Sequence, residues 1–277
     1  MIFAYFGNIR TDAYLNMAID EVILRKSEKE KKNYIRFYEF SVPSFVLAYR
    51  QHPSEVTASE NDFHITRRLS SGGVMLCNDS SLAYSMTLSS AKKMSVKNVH
   101  NFFGTKIAEV VKEYAENQEV HLGDHFSVRV DGKIIAGHGQ RDANKTVLYH
   151  GVLALYPWDT GLIEANVKLK EGELEYVKSL PCLHDYSNNF KKDEIMNKML
   201  EKIAGDGLVY LDQNEKQEII DKAMKLAENQ YRNPKWINFG PNWEEENPNY
   251  HANNLLTGWG FCFADIQSPE PVSKKIR

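Results

Sequence analysis

The sequence is poor in several features that mark particular classes of protein. Of its 277 residues only three are cysteines, Cys77, Cys182 and Cys262, and they lie far apart. This spacing excludes a CxxC metal knuckle and a dense disulfide framework, and it is typical of a reducing cytoplasm. No apolar run approaches the roughly 20 residues that span a membrane, and the amino terminus, MIFAYFGNIR, lacks the basic start of a signal peptide. We therefore expect a cytoplasmic protein that is neither exported nor inserted in a membrane.

An excess of positive charge is also missing. The chain has 34 Lys and Arg against 37 Asp and Glu, which gives a formal net charge of −3 at pH 7. Because no overall positive field is present to hold a polyphosphate, nucleic acid is disfavoured as the main partner. The hydrophobic fraction of 42% and the charged fraction of 26% are typical of a folded globular protein and exclude collagen-like, coiled-coil and wholly disordered classes.

The apolar pattern predicts a mixture of helices and strands. Thr11 or Asp12 can cap a first helix, and a second helix has Phe103 and Tyr114 on one side. Two further helices are predicted after Pro181, at 193–204 and 214–230. Strand patterns occupy 34–49 with a break at Pro43, 64–69, 74–76, 81–88, 126–137 and 146–156. We expect one α/β domain over 1–240 with a helical portion at 190–235, followed by a tail at 241–277.

A hairpin with a lysine beside its turn is the first candidate for chemistry. Asp-Gly at 131–132 favours a two-residue type I′ turn. In such a hairpin Val130 pairs with Lys133, which places Lys133 on the apolar face with Val128 and Ile135. An ammonium held there loses hydration and needs an anion, so Lys133 is a candidate for gripping a carboxylate or phosphate. The alternative is that the side chain simply extends to water.

A turn of small residues follows two adjacent cations. Arg67 and Arg68 precede Ser70, Ser71, Gly72 and Gly73. Backbone N–H groups can converge on an anion in such a turn, with the guanidinium groups beside it. The pattern is neither GxxxxGK[ST] nor GxGxxG, and a Gly-Gly turn between strands is commonly an ordinary hairpin.

Three other patterns have competing interpretations. GHG at 137–139 lets a ligand approach the backbone closely, although a bulge or strand end is a commoner reason for such glycines. Asp124, between His121 and His125, is a better candidate for Mg²⁺ than the histidines are for zinc. Cys182 is either an activated thiolate or an inert buried residue.

Five segments together resemble the lipoate-protein ligase family, within the biotin/lipoate ligase superfamily. Their order and spacing match as well as their residues. The resemblance implies an α/β fold with a mixed, largely antiparallel sheet flanked by helices, and lipoate in a slot between the Gly-rich turn and the lysine hairpin. The segments are NMAIDEVIL at 16–24, RRLSSGG at 67–73, VDGKIIAGHGQR at 130–141, HGVLAL at 150–155 and WINFG at 236–240.

The resemblance also implies an activity. Members activate lipoate with ATP and Mg²⁺ as lipoyl-AMP and pass the lipoyl group to a lysine of a lipoyl domain, in 2-oxoacid dehydrogenase complexes or in the glycine cleavage H protein. Lys133 matches the family's essential lysine, and Asp124 matches an aspartate associated with ATP and Mg²⁺. The motifs and the residue patterns together give the expected substrate-binding set: Arg68, Ser70, Ser71, Gly72, Gly73, Gly137, His138, His150 and Gly151.

Departures from the family pattern keep two other functions open. Ser71 replaces a usual glycine, Cys77 replaces a usual histidine, and SLAYS at 81–85 is closer to the ELTYS of octanoyltransferases. Those enzymes take octanoate from an acyl carrier protein through a cysteine thioester, for which Cys182 is the candidate here. A second alternative is a non-catalytic protein that binds lipoate or a lipoyl domain.

The tail raises the question of a partner chain. Familiar long ligases have a separate carboxy-terminal domain after the WINFG-like segment, whereas 37 residues follow Gly240 here. That length is too short for an ordinary independent domain. We therefore expect the protein either to work with a small accessory chain or to manage without that domain.

Overall fold

The computed structural model describes residues 1–58, 62–89, 95–123, 127–143 and 146–242. In this part of the chain the helices are α1 (Ala13–Glu30), α2 (Val96–Lys112), α3 (Thr160–Asn166), α4 (Glu173–Lys178), α5 (Lys192–Ala204), α6 (Gln213–Leu226) and α7 (Pro234–Phe239). The strands are β1 (Phe3–Thr11), β2 (Asn33–Phe40), β3 (Ser44–Leu47), β4 (His64–Arg67), β5 (Met75–Cys77), β6 (Ser81–Ser89), β7 (Val120–Gly123), β8 (Ser127–Val130), β9 (Lys133–Ala143), β10 (Thr146–Ala154) and β11 (Leu208–Tyr210). Within these residues, no helix is long and apolar enough to cross a membrane.

Two sheets form the centre of the protein. The larger has eight strands in the order β11-β1-β2-β6-β10-β9-β8-β7, and the smaller has three in the order β4-β3-β5. In the larger sheet β1 is parallel to both of its neighbours, and all the other pairs are antiparallel. The expected α/β fold with a mixed, largely antiparallel sheet flanked by helices is therefore confirmed.

Helix α1 begins where the sequence predicts it. Of the two proposed caps, Asp12 is the one that acts, since its side chain accepts a hydrogen bond of 2.8 Å from the Leu15 N–H. This bond satisfies one of the amide groups that a helix leaves unpaired at its first turn. The helix ends at Lys31, which takes the left-handed conformation. The buried face of α1 includes a polar pair at helical spacing, Asn16 and Asp20.

The break at Pro43 separates strands that belong to different sheets. Strand β2 joins the large sheet between β1 and β6, whereas β3, only a few residues further on, is the central strand of the small sheet. The chain turns sharply there because proline cannot donate to a ladder and fixes its own φ. The two sheets consequently lie against each other from the first quarter of the chain onward, and the space between them becomes the candidate site.

The carboxy-terminal helices agree closely with the predicted ranges. Helix α5 begins one residue before the predicted start, and α6 runs on into a π-helical turn at Ala227–Tyr231. Strands β1, β7 and β11 and the short helices α3, α4 and α7 were not predicted. Strand β11 has three residues and β7 has four, which is too short for an alternating pattern to be recognised.

Candidate functional site

A small apolar pocket, with a cavity volume of about 20 Å³, lies between the two sheets and under α1. The large sheet provides one wall, and Val46, Met75 and Cys77 of the small sheet provide the other. Arg68 and His150 introduce charge and hydrogen-bonding capacity at an otherwise largely apolar wall. The remaining lining residues are Met17, Tyr38, Phe40, Ala83, Gly139, Gly151 and Val152. A pocket with an apolar wall and a few convergent polar groups is the usual form of a small-molecule site.

His150 stands at the centre of a buried hydrogen-bonded chain. Its Nε2 lies 2.5 Å from Ser70 Oγ, and its Nδ1 lies 2.9 Å from Asp20 Oδ2. All three side chains are buried. Ser70 therefore connects the small-residue turn to β10, and Asp20 connects β10 to helix α1.

A buried ion pair fixes Asp20 in place. Arg36 Nε lies 2.9 Å and Arg36 Nη2 lies 2.8 Å from Asp20 Oδ1, and Ser85 Oγ donates to the same oxygen at 2.7 Å. Arg36, Ser85 and His150 share one face because Ser85 is in register with both of the others across β2, β6 and β10. Burial acts to raise the pKa of Asp20, but Arg36 and His150 outweigh it and hold that pKa below 3.8. Asp20 is therefore a carboxylate at neutral pH.

The two arginines before the turn are bonded to the protein's own backbone. Arg68 donates to the carbonyl oxygens of Val46 at 2.9 Å, Ser71 at 3.1 Å and Gly73 at 2.8 Å, and its Nε donates to Ser70 Oγ at 3.1 Å. Its guanidinium thus holds the turn together rather than lying open beside it. It still lines the pocket and contributes a fixed positive charge there.

Arg67 is buried even more completely. Its guanidinium donates to the carbonyl oxygens of Ala48 and Gln51 after β3, and of Trp236 and Ile237 in α7. Burial, together with the neighbouring Arg68, lowers the pKa of Arg67 to about 9, so the group remains a cation at neutral pH. The sequence predicts two cations beside the turn, and the structure shows that each of them also braces a loop beside the pocket.

The small-residue turn is shaped by this bracing. Ser70 and Gly73 are buried, Ser71 is exposed, and Gly72 has a φ of 118°, which favours glycine. Because the carbonyls of Ser71 and Gly73 point at Arg68, the turn is held in a single conformation. The residues expected from the sequence to form one group here are therefore together.

Lys133 occupies the predicted place in its hairpin, in the second of the two environments that the sequence left open. Asp131 and Gly132 both have positive φ, 48° and 79°, and Val130 pairs with Lys133 as expected. A register shift follows at Val128/Arg129, which breaks the alternation on which the apolar-face prediction depended. Lys133 is exposed, so of the two interpretations the side chain that extends to water is the one found, and apolar neighbours do not remove its hydration.

The GHG segment is divided between the two faces of the sheet. A Cβ on Gly139 would overlap Ser70 Oγ, so glycine at this position leaves room for the Ser70 side chain beside the pocket. His138 points to the opposite face, where its Nε2 lies 2.6 Å from Tyr84 OH and its ring stacks on Tyr149 at 4.9 Å. The structure therefore does not bring His138 to the pocket with His150.

Gly151 pairs with His138 in the ladder, and Gly137 pairs with the next residue, Val152. A Cβ on Gly151 would overlap the carbonyl oxygen of Gly137 and lie close to the ring of His138. Gly151 also lines the pocket, and Gly137 lies beside it on the neighbouring strand.

The two described cysteines lie in different surroundings. Cys77 is buried in the pocket wall, where the ligase pattern has histidine. Cys182 is buried beside Asp185, and burial, assisted by Asp185, raises the pKa of its thiol to about 11. A thiol with such a pKa is a poor nucleophile, because the thiolate is the reacting form.

Two other predicted groups lie outside the described residues. These are Asp124, the expected magnesium ligand, and Cys262. Among the residues that the structure describes, no group of three His, Cys, Asp or Glu side chains is arranged to hold a metal ion.

Asp20, Arg36 and Ser85 were missed by the sequence reasoning. The available signal was the presence of charged residues within patterns that are otherwise apolar: Asp20 on the inner face of α1, and Arg36 in the middle of β2. Charged residues are almost never fully buried unless they are paired, so one such position of each sign predicts an ion pair.

Comparisons with known proteins agree with this geometry. The family model for the lipoyl protein ligase A/B catalytic domain matches residues 12–203. Two relatives are the octanoyltransferases LipM of Bacillus cereus and Bacillus anthracis, each 24% identical over 180 residues that cover 54% of this chain and 64% of the relative. The chain thus spans less than two thirds of the length of these relatives.

Solved structures share the fold. A lipoate-protein ligase A bound with ATP superposes with a TM-score of 0.71 at 17% identity, over 86% of this chain and 98% of that one. A bi-partite lipoate protein ligase from Thermoplasma acidophilum, solved in a study that includes its E2 lipoyl domain, has a TM-score of 0.71 at 18% identity, over 85% and 96% of the two chains. At these identities the likeness establishes the fold, which is that of lipoate-protein ligases.

Proposed function

Because the chain belongs to the lipoyl protein ligase A/B catalytic domain family, we propose that it is a lipoate-protein ligase. It activates lipoate with ATP to lipoyl-AMP, with release of pyrophosphate. The lipoyl group then passes to the amine of a lysine in a lipoyl domain, with release of AMP.

The observation that carries this proposal is the pocket between the sheets. Its apolar wall, which includes Met17 and Val152, suits the hydrocarbon part of an acyl chain. Arg68 at the wall and Arg67 behind it are buried cations that favour a negatively charged head group. The same fixed charge is suited to an acyl phosphate, in which the negative charge remains beside the carbonyl carbon.

ATP enters this proposal as the second substrate. The likeness to a ligase bound with ATP supports it. Lys133 is the described cation that is exposed at the hairpin turn, and it is therefore free to reach a phosphate that arrives from solvent. Mg²⁺ would accompany the nucleotide and neutralise its charge, and Asp124 remains its proposed protein ligand.

The acceptor is proposed to be a lipoyl domain, either in a 2-oxoacid dehydrogenase complex or in the glycine cleavage H protein. The structural neighbour studied with its E2 lipoyl domain supports this class of partner. That neighbour is bi-partite, which also supports a separate accessory chain as a partner of this protein.

A second function has its own supporting observation. The sequence relatives are octanoyltransferases, and Cys77 places a thiol in the pocket wall. In this alternative Cys77 or Cys262 would accept octanoate from a carrier protein as a thioester. Cys182 is the weakest candidate, since its pKa of about 11 keeps it protonated at neutral pH.

Mass spectrometry of an apo lipoyl domain separates the two functions. One arm contains this protein, lipoate and MgATP, and the other contains octanoyl carrier protein without ATP. We expect a lipoyl adduct in the first arm and none in the second. An octanoyl adduct in the second arm alone would reject the ligase, and Cys77→Ser and Cys262→Ser variants would then identify the nucleophile. No adduct in either arm, even with an accessory chain added, would leave a non-catalytic binder as the remaining function.

Lys133→Ala provides the test of the proposed catalytic lysine. We expect it to abolish lipoylation, with a loss of at least about 100-fold in kcat/KM, because it removes a charge that acts on the transition state. Because Lys133 is exposed, the free energy of unfolding of the variant should stay within about 0.5 kcal/mol of the wild-type value. The matched control is Lys112→Ala, an exposed lysine at the end of α2, which should retain full activity.

A further inference from the structure

We infer that Asp20 is a positioning residue for the acyl pocket, acting through His150 and Ser70 on the turn that holds Arg68. This inference rests on the proposed function in one respect only, that the pocket binds an acyl chain. Asp20 lies in helix α1, about fifty residues before the turn, and it is joined to the turn by consecutive hydrogen bonds.

The carboxylate of Asp20 determines the tautomer of His150. A carboxylate only accepts hydrogen bonds, so the ring nitrogen 2.9 Å away, Nδ1, must bear the proton. In a neutral imidazole Nε2 is then an acceptor, and it receives the Ser70 hydroxyl proton at 2.5 Å. The negative charge of Asp20 thus determines which group donates and which accepts in each of these hydrogen bonds.

Ser70 connects His150 to the turn through its hydrogen bond with Arg68. Its hydroxyl donates to His150, so its oxygen is free to accept the Arg68 Nε–H at 3.1 Å. Arg68 in turn donates to the carbonyls of Ser71 and Gly73. Reversal of the His150 tautomer would place two donors, Nε2–H and the Arg68 Nε–H, against one serine oxygen and would leave the hydroxyl proton without its acceptor.

The arrangement of Ser70, His150 and Asp20 has the bond order of a hydrolase triad, but its surroundings assign it a different role. Ser70 Oγ is covered by Arg68 and by the backbone of Gly139, and only 1% of the residue is exposed. A nucleophilic serine must reach a carbonyl carbon. Ser70 instead supports the pocket end.

The His150 tautomer is directly measurable by ¹⁵N-correlated NMR of the full chain. We expect the wild type to show the Nδ1–H form, and Asp20→Asn to shift the population toward Nε2–H, since an amide can donate as well as accept. A wild-type spectrum with the Nε2–H form would overturn the inference. This readout does not depend on ligase activity, so it stands even if the proposed function fails.

Octanoate binding, measured by calorimetry without ATP, tests the consequence for the pocket. Asp20→Asn and Ser70→Ala should each weaken binding about tenfold, and the double variant should lose little more than either one, because both break the same chain. Glu21→Gln is the matched control: it is the same chemical change at the next, equally buried residue of α1, whose carboxylate bonds to Tyr231, and it should bind octanoate like the wild type.

Independent effects of Asp20→Asn and Ser70→Ala, multiplying to about 100-fold, would overturn the coupling. So would wild-type affinity in either single variant. If Asp20→Asn does not fold, Ser70→Ala and the wild-type tautomer still decide the inference, because Ser70 is joined to the ion pair through His150 and bonds directly to His150 and Arg68. Absence of octanoate binding by the wild type would overturn the acyl pocket itself and with it the proposed function.

Discussion

The two faces of the large sheet each bury a histidine, in opposite kinds of surroundings. Under α1, His150 belongs to an ionic network with Asp20 and Arg36. Under α2, His138 lies among aromatic rings, with Tyr84 as its hydrogen-bond partner and Tyr149 stacked on it. The first network borders the pocket, and the second is part of the core.

The difference shows how adjacent strands separate a site from the structure that supports it. His138 and Gly139 are neighbours in sequence, as are Tyr149 and His150, yet alternation sends one of each pair to each face. A buried ionic network is expensive to assemble and is retained where its charges have a use, whereas neutral aromatic pairs contribute packing at little electrostatic cost. The GHG and HG motifs thus combine a functional position with a structural one.

Breaking the ionic network should have the largest effect on stability. Arg36→Met removes the arginine counter-ion of the buried Asp20 carboxylate, which keeps only its hydrogen bonds with Ser85 and His150, and should reduce the free energy of unfolding by about 3–5 kcal/mol. On the other face, Tyr84→Phe removes one neutral hydrogen bond and should cost only about 1 kcal/mol. Urea denaturation of both variants measures the contrast. Equal costs would mean that the two faces do not differ as described.

Gly139 and Gly151, the two glycines that line the pocket, offer a sharper comparison, with intermediate expected losses in the free energy of unfolding. Gly151→Ala directs its Cβ at the backbone oxygen of Gly137, which cannot move alone, and should destabilise by about 3 kcal/mol. Gly139→Ala meets Ser70 Oγ, which can rotate away, and Ser70 Cβ at 2.9 Å, which rotation does not move, and should cost about 2 kcal/mol. Only the second change disturbs the His150 chain.

Octanoate calorimetry of the same two variants separates stability from binding. We expect Gly139→Ala to bind more weakly than Gly151→Ala at a temperature where both are folded. The reverse order would place the functional chain on the α2 face and contradict the assignment.

The smallest expected effect is a difference in pH response. Burial lowers the pKa of His100, on the α2 face, below its ordinary 6.5, although a bond with the Gly123 backbone acts in the opposite direction. Its contribution is therefore complete above about pH 6.5 and is lost as the pH falls toward the folded-state pKa, by at most about 1.4 kcal/mol per pH unit. Asp20 has a lowered pKa, so the ionic network keeps its contribution down to about pH 3.8.

Denaturation at about pH 7.5 and about pH 5 tests this sign. His100→Asn should be less sensitive to acid than the wild type over that interval. Burial also lowers the pKa of His64, so His64 makes stability fall with decreasing pH in the same direction. His64→Asn is the matched comparison for His100→Asn. An unchanged slope in His100→Asn would show that the α2 face does not resist protonation there.

Much of the fold follows from local patterns. The cap at Asp12, the type I′ hairpin at 131–132 and the break at Pro43 are each determined by a few neighbouring residues, and each is found as predicted. Strand β11 is different, because its three residues are placed by pairing with β1, two hundred residues away, and nothing local specifies that.

The site was predictable in part for the same reason. Arg68, Ser70, His150 and Gly151 were identified through motifs, and the structure brings them together. Two other points depended on strand alternation and on a bulge, which a single sequence does not fix. These are the face of the sheet on which His138 lies and the exposure of Lys133 to water. The partner of His150 was missed because Asp20 reaches it from another element.

The acceptors of Arg67 have a consequence for the order in which the protein matures on the ribosome. Arg67 is made in the first quarter of the chain, but two of the carbonyls that receive its hydrogen bonds belong to Trp236 and Ile237. Chains emerge at about 5–20 residues per second, so this guanidinium waits for roughly ten to thirty seconds before its partners exist. Until then we expect the guanidinium to stay hydrated, with the Ala48 and Gln51 carbonyls as its available partners. The pocket rim is thus completed only after α7 has been made, and a nascent chain should be unable to retain an acyl ligand before α7 has left the exit tunnel.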